Sequence, residues 1–456
     1  MTRKFSRRGF LKTTGAATGA TAVGVGLGQG LSARPAEAAL PLTNALSALG
    51  RKADLPSPGG PRVVVVGGGW SGLILAKQLV QEKPGFDVVL IEKRASFFSC
   101  PLSNLWLVEK LSLDFISHSY LDAARNNGYI YLNGAVVDVD RQARTVFTDQ
   151  GSVAYDYLVL APGIDYDYTS VGIEDPAEAL RIATHYPAAF KPGSEHLTLR
   201  RKLENFEGGT FVLTVPDGNY RCPPAPFERA CMIAGYFKEN DIDGKVLILD
   251  KNPSLPFHPD GIRKAFKDLY GGVIEHVQGV EISGVDPAAR QIETSNGVVK
   301  FDDACIYPRI RGARLIETLG LIKAASTQKE ADIDPINYHI PGDDRVFVAG
   351  DARPMPFVKS GFAANFEAKH LSALIARRLD GDDLEPLHEA GIMCYVAVNA
   401  WPLQSIAFKI SFGWVYDPKT KGPVFRQKAQ AFTNRSRSFG KANVQWGRAL
   451  YQEMFY

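Results

Sequence analysis

Val63-Val64-Val65-Val66 is an unbroken run of β-branched residues with no polar alternation, the pattern of a parallel strand covered on both faces. Past Gly67-Gly68-Gly69-Trp70-Ser71-Gly72 the apolar positions take a helical spacing over residues 73–82, and Asp87-Val88-Val89-Leu90-Ile91-Glu92 is a second buried strand. The three segments make one βαβ unit. The same grammar returns with Phe211-Val212-Leu213-Thr214-Val215, a helix predicted over 226–239 and a strand over 245–250. A further strand, Arg345-Val346-Phe347-Val348-Ala349, ends in Gly350-Asp351 and precedes a helix predicted over 365–379. After Asp380-Gly381-Asp382-Asp383 a tail of about 70 residues mixes aromatic and apolar runs that read as strands and a final helix,.

Two βαβ units predict an α/β chain with two Rossmann-like, dinucleotide-binding domains and a smaller C-terminal α+β domain. The expected boundaries are 62–180 with 306–385 for the first domain, 181–305 for the second and 386–456 for the third. Residues 39–61, rich in Pro, Gly and Ser, read as a linker. Ahead of it, Ser6-Arg7-Arg8-Gly9-Phe10-Leu11-Lys12 precedes a weakly apolar stretch, and Ala36-Glu37-Ala38 offers small residues for a signal peptidase. Residues 1–38 therefore form a twin-arginine export signal, which predicts a periplasmic protein that folds and takes up its cofactor before export.

Charge excludes more than it suggests. With 52 basic against 49 acidic residues and a net charge of +3, nucleic-acid binding and a polybasic membrane role receive no support. The most apolar later stretch, 390–416, is interrupted by Asn399, Pro402, Gln404 and Lys409, so no membrane span is expected,. Eight histidines at wide spacings give no metal-ligand cluster, and without a Cys-x-x-Cys-His motif haem is not attached to this chain,.

Gly67-x-Gly69-x-x-Gly72 follows a buried strand, opens a helix and is completed by Glu92 at the end of the next strand. In that context Gly67 permits a tight turn, Gly69 lets backbone approach a pyrophosphate, Gly72 allows close helix–strand packing and Glu92 accepts from ribose hydroxyls. Tyr155-Asp156-Tyr157-Leu158-Val159-Leu160-Ala161-Pro162-Gly163 and Val346-Phe347-Val348-Ala349-Gly350-Asp351 resemble segments of the two-dinucleotide-domain flavoproteins. That resemblance implies FAD, with Asp351 against its ribityl and phosphate portion. The second unit lacks a glycine loop: Val215-Pro216-Asp217-Gly218-Asn219-Tyr220-Arg221-Cys222-Pro223-Pro224-Ala225-Pro226 has prolines where a pyrophosphate needs N–H groups,. Nicotinamide binding is not expected there.

Phe97-Phe98-Ser99-Cys100-Pro101-Leu102-Ser103-Asn104, Arg221-Cys222-Pro223-Pro224-Ala225-Pro226-Phe227-Glu228-Arg229-Ala230 and Met355-Pro356-Phe357-Val358-Lys359-Ser360-Gly361-Phe362-Ala363-Ala364-Asn365 resemble the flavin subunit of flavocytochrome c sulfide dehydrogenase. The similarity extends over the mature chain. It implies covalent FAD on Cys100, a redox cysteine at Cys222, sulfide or a small sulfur compound as substrate, and a c-type cytochrome as acceptor. It also places the redox partner of Cys222 shortly before Gly350, yet residues 306–350 contain no cysteine and Asp332 or a neighbour stands there. Cys231, nine residues along a helix, is too far for a disulfide with Cys222; Cys305 reads as a buried strand residue and Cys394 as packed core. Glu228 is either a proton acceptor or a helix-N-terminal carboxylate. Lys359 either supports charge on reduced flavin or is a solvated lysine. The missing cysteine leaves three readings open: single-thiol sulfide oxidation, oxidation of another sulfur species, or a non-catalytic sulfur carrier.

Overall fold

A computed structural model describes residues 51–255, 257–354, 358–382, 389–419 and 421–456. The signal at 1–38, most of the linker, Met355-Pro356-Phe357 and the expected 385/386 boundary lie outside the described residues.

Val63, Val64 and Val65 are fully buried because their strand, Arg62–Val66, lies inside a six-stranded sheet. The order is His339–Ile340, Asp343–Val348, Tyr157–Leu160, Arg62–Val66, Asp87–Glu92 and Ile130–Asn133, parallel except at the His339–Ile340 edge. The strand that leads into Gly350-Asp351 thus joins the first βαβ unit, as an α/β sheet assembled from distant parts of the chain requires. A second, wholly parallel sheet has the order Ile274–Gln278, Gly244–Asp250, Gly209–Val215 and Asp303–Cys305. The chain leaves the first sheet through Ile164–Asp167 and comes back through Arg309–Gly312, and these two segments pair antiparallel.

The helix after the first strand runs Trp70–Glu82, three residues earlier than the apolar spacing shows. Gly69 caps it, and the first turn carries cavity-facing residues rather than core ones, so the periodicity is silent there. For the same reason the helix after Gly350-Asp351 begins at Gly361, with the Ser360 hydroxyl accepting from Ala363 N,. The tail forms an antiparallel sheet, Glu389–Ala400, Leu403–Asp417 and Gly422–Phe432, followed by the helix Arg437–Phe455. That helix docks on the first dinucleotide unit: Lys77 Nζ donates to Glu453 O (2.7 Å) and the Tyr451 hydroxyl donates to Pro101 O (3.2 Å). No helix among the described residues is long and apolar enough to cross a membrane.

His196, on the helix Ser194–Glu204, is buried against Phe98 with ring centroids 4.9 Å apart. Burial, then the Arg229 cation, hold its pKa down to about 3. A histidine depressed in the folded state contributes stability that is whole above its ordinary value of 6.5 and is lost as pH falls from there toward 3,. His196→Phe should therefore remove about 2 kcal/mol of the loss that the wild type suffers between pH 7 and pH 5, read by urea denaturation of both proteins at the two pH values.

Candidate functional site

The phosphate loop is built by two contacts that tolerate no side chain. Gly67 has φ +101°, and a Cβ there would stand 2.3 Å from Ala161 O; a Cβ on Gly72 would stand 1.8 Å from Gly67 O. The helix Trp70–Glu82 is thereby pressed end-on to the strand. At Gly69 a Cβ would meet nothing within 4 Å, so the backbone there faces open space. The helix has no side-chain cap and no acidic residue in its first turn, which leaves its N–H groups and positive end to an anion. Ser71 Oγ and Trp70 Nε1 are buried without a partner among the described residues. These features fit the pyrophosphate of a dinucleotide.

Glu92 braces the loop from the neighbouring strand: Oε2 accepts from Gly68 N (2.8 Å) and Oε1 from Arg94 N (3.0 Å). A carboxylate offers about four acceptor positions, so capacity for ribose hydroxyls remains. Asp351 is held by Arg221, whose Nε lies 2.6 Å from Oδ2, and Arg221 also donates to Phe190 O (2.7 Å). Lys359 is not a solvated lysine. It pairs with Glu330 (2.7 Å), both groups being buried, and donates to Asp351 O (2.9 Å) and Arg353 O (3.0 Å). It ties down the segment that carries Asp351, and its carbonyl accepts from Cys222 N (2.7 Å).

A cavity of about 450 Å³ gathers Gly67, Gly69, Glu92, Cys100, Asp351, Cys222 and Glu228 on one wall system. Gly72 and Lys359 do not line it; they act from behind the wall. Cys222 has φ +51°, a left-handed turn that lets the loop reach the cavity before Pro224 starts the helix Ala225–Glu239. The Cys100 thiol donates to Phe190 O (3.4 Å) and is pushed up by burial, against the opposing charge of Arg221.

One reading from the sequence is corrected. Cys394 is not packed core: it is half-buried and lines the same cavity as Cys222. Burial first, then the neighbouring charges of Cys394 and Glu228, push the Cys222 thiol far up. Burial and then Glu228 push Cys394 up to about 12. The strand Glu389–Ala400 thus brings a further thiol to the cavity wall. Asp332, at the position expected for it, pairs with Lys323 (3.9 Å) and does not line the cavity. Cys305 sits in the core, accepting from Arg229 Nη1 (3.3 Å), and Cys231 is buried in the helix behind Glu228.

Glu228 is partly buried where that helix meets the same strand. Oε1 accepts from Ala397 N (2.7 Å) and Oε2 from the Asn104 amide (2.9 Å). Burial pushes its pKa up to about 7, against those donors and the Arg229 cation. Asn104, Arg221, Cys394, Tyr395 and Trp446 all line the cavity and were not singled out as site residues by sequence reasoning; only the proximity of Asn104 and Arg221 to Cys100 and Cys222 could have marked them. In the second sheet, Asp250 stands where Glu92 stands in the first. It is fully buried, accepts from Asn252 N (2.9 Å) and pairs with His276 (3.0 Å), so it presents nothing to a ribose.

Residues 196–308 match the family model for the central region of the flavoprotein chain of sulfide dehydrogenase [flavocytochrome c], and residues 61–186 match that of the pyridine nucleotide-disulphide oxidoreductases. The chain is a flavoprotein of the disulfide-reductase superfamily, of the sulfide dehydrogenase and sulfide:quinone oxidoreductase kind. It binds FAD. Residues 4–24 match the twin-arginine signal, which directs export to the periplasm. Mitochondrial sulfide:quinone oxidoreductase of Dictyostelium discoideum is 23% identical over 77% of this chain and 78% of its own. The flavoprotein chain of sulfide dehydrogenase [flavocytochrome c] of Chlorobaculum thiosulfatiphilum is 48% identical over 46 residues, 10% of this chain and 96% of that sequence. The sulfide:quinone oxidoreductase structure from Aquifex aeolicus superimposes with a TM-score of 0.68 at 17% identity, covering 87% of this chain and 91% of that one.

Two substitutions test the framework. Gly72→Ala forces the helix away from Gly67 and should cost at least roughly tenfold in flavin retained on purification, read from the flavin-to-protein absorbance ratio. Lys359→Met leaves Glu330 buried and unpaired and should cost about 3–5 kcal/mol in denaturant unfolding; adding Glu330→Leu should restore part of that loss.

Proposed function

We propose that this exported FAD oxidoreductase oxidises sulfide, or a small sulfur compound, with Cys222 and Cys394 as its thiol pair, Glu228 as proton acceptor and Cys100 as a covalent anchor for FAD. The observation that carries the reading is the convergence of two thiols and a carboxylate of raised proton affinity on the flavin cavity. When the pair is a disulfide, hydrosulfide attacks one sulfur: an S–S bond forms to the incoming atom, the old one breaks, and the other cysteine leaves as a thiolate. Joining persulfide and thiolate across the added sulfur releases two electrons. Bound FAD would supply an acceptor for such a pair that can release electrons singly. Glu228, facing both thiols, takes the proton that hydrosulfide loses.

A c-type cytochrome as acceptor is supported by the match to the flavocytochrome c chain; the sulfide:quinone oxidoreductase relatives favour a quinone as the second reading. The closed pocket at Asp250 and the proline-rich loop speak against NADH as reductant.

Anaerobic addition of sulfide to the purified protein should bleach the oxidised flavin, and Cys222→Ala or Cys394→Ala should slow bleaching by at least roughly 100-fold. Equal rates in the Cys394 variant would remove that residue from the mechanism, and cytochrome c and a soluble quinone offered in parallel identify the acceptor. Denatured wild type should keep its flavin on the polypeptide and Cys100→Ser should release it; free flavin from both would rule out the thioether.

A further inference from the structure

Among the described residues, Glu228 is the carboxylate whose charge acts on both Cys222 and Cys394, and its surroundings are arranged with a definite polarity. Asn104, on the short helix Ser103–Leu107 that follows Cys100, is buried to 4% exposure. Its side-chain oxygen accepts from Arg229 Nε (3.1 Å), and its amide nitrogen donates to Glu228 Oε2 (2.9 Å) and to Ala225 O (3.3 Å). Because a guanidinium donates only, Arg229 must meet the oxygen of the amide, and the NH₂ group is forced toward Glu228. Arg229 is itself immobilised by Ala188 O (2.5 Å) and Ala189 O (2.9 Å) and lies over the Phe190 ring. The amide therefore cannot flip to offer its oxygen.

We propose that Asn104 is a positioning residue for Glu228: oriented by Arg229, its amide gives the carboxylate a fixed donor and holds it, ready to take a proton, between Cys222 and Cys394. The proposal rests on the reading of Glu228 as proton acceptor. The groups that face Glu228 are Arg229 and Cys231 from its own helix, Cys222 from the preceding loop, Cys394 and the Ala397 amide from the strand Glu389–Ala400, and Asn104 from the helix after Cys100. Among the described residues, only Ala397 and Asn104 donate to the carboxylate itself. Of these, only Asn104 can be removed by substituting a side chain.

Asn104→Leu keeps the volume and removes the donor. A hydrogen bond to a charged group corresponds to an upward shift of about one to two pH units in the ionisation of Glu228. The midpoint is read directly by infrared difference spectroscopy of the carboxyl band across pH in the flavin-loaded protein, with Glu228→Gln as the blank. The pH profile of sulfide-dependent bleaching, compared between variant and wild type, should move by the same amount, since the ionisation of sulfide itself is common to both. Asn104→Ala, which also removes the donor and adds no charge, should shift the midpoint the same way and serves if Asn104→Leu does not fold. An unmoved midpoint in the folded variant overturns the proposal. A shifted midpoint in a protein whose wild type is never bleached by sulfide leaves the positioning role intact and overturns the substrate instead.

Discussion

The close contact of Gly72 with the carbonyl of Gly67 is the constraint on which the cavity depends. It sets a helix N-terminus directly beyond a buried strand with neither a Cβ nor a capping side chain between them. The unsatisfied amides that any helix start leaves become the anion-binding end of the flavin site. Glu92, Ser71 and Asp351 contribute only because that end is already in place. Removal of the contact would leave each of them a surface polar group with no common target.

From that end the walls are supplied by many separate stretches of chain, and this decides how well each was read from sequence. The loop 67–72 and Glu92 were legible because the chemistry is local: spacing, strand and helix all fall within one βαβ unit. The second sheet was legible through its all-apolar strands, and its proline-bearing loop already marked it as no phosphate site. Cys394 was not legible. It sits in an apolar run whose residues, taken alone, read as core, and only the pairing of Glu389–Ala400 with Leu403–Asp417 and its packing on the helix of Glu228 turns that cysteine to the cavity. The search for a second thiol looked instead between residues 306 and 350, where chain order placed it. Lys359 failed differently. A lysine after a Pro-Phe-Val segment gives no hint of a buried Glu330 near it, since the two are brought together by the fold of the segment that carries Asp351.

Electrostatics in the cavity follow from burial more than from pairing. The cation Arg229 is buried, and Arg221, Asp351 and Glu228 are partly so, where an uncompensated charge is expensive. Arg221 and Asp351 compensate each other. Arg229 is held by carbonyls and an aromatic face and Glu228 by two amide donors, an arrangement that leaves Glu228 able to change its charge.

The contact of Lys77 with Glu453 spans 376 residues, and Asn443 and Trp446, on the same C-terminal helix, form part of the cavity wall. During synthesis the phosphate loop emerges first and stays open on that side until the ribosome has passed Glu453. Flavin can be enclosed only once the helix Arg437–Phe455 has been made and docked. A transport route that threads unfolded polypeptide would present the periplasm with the loop long before its lid. The arginine pair at residues 7 and 8 therefore answers a problem set at the other end of the chain.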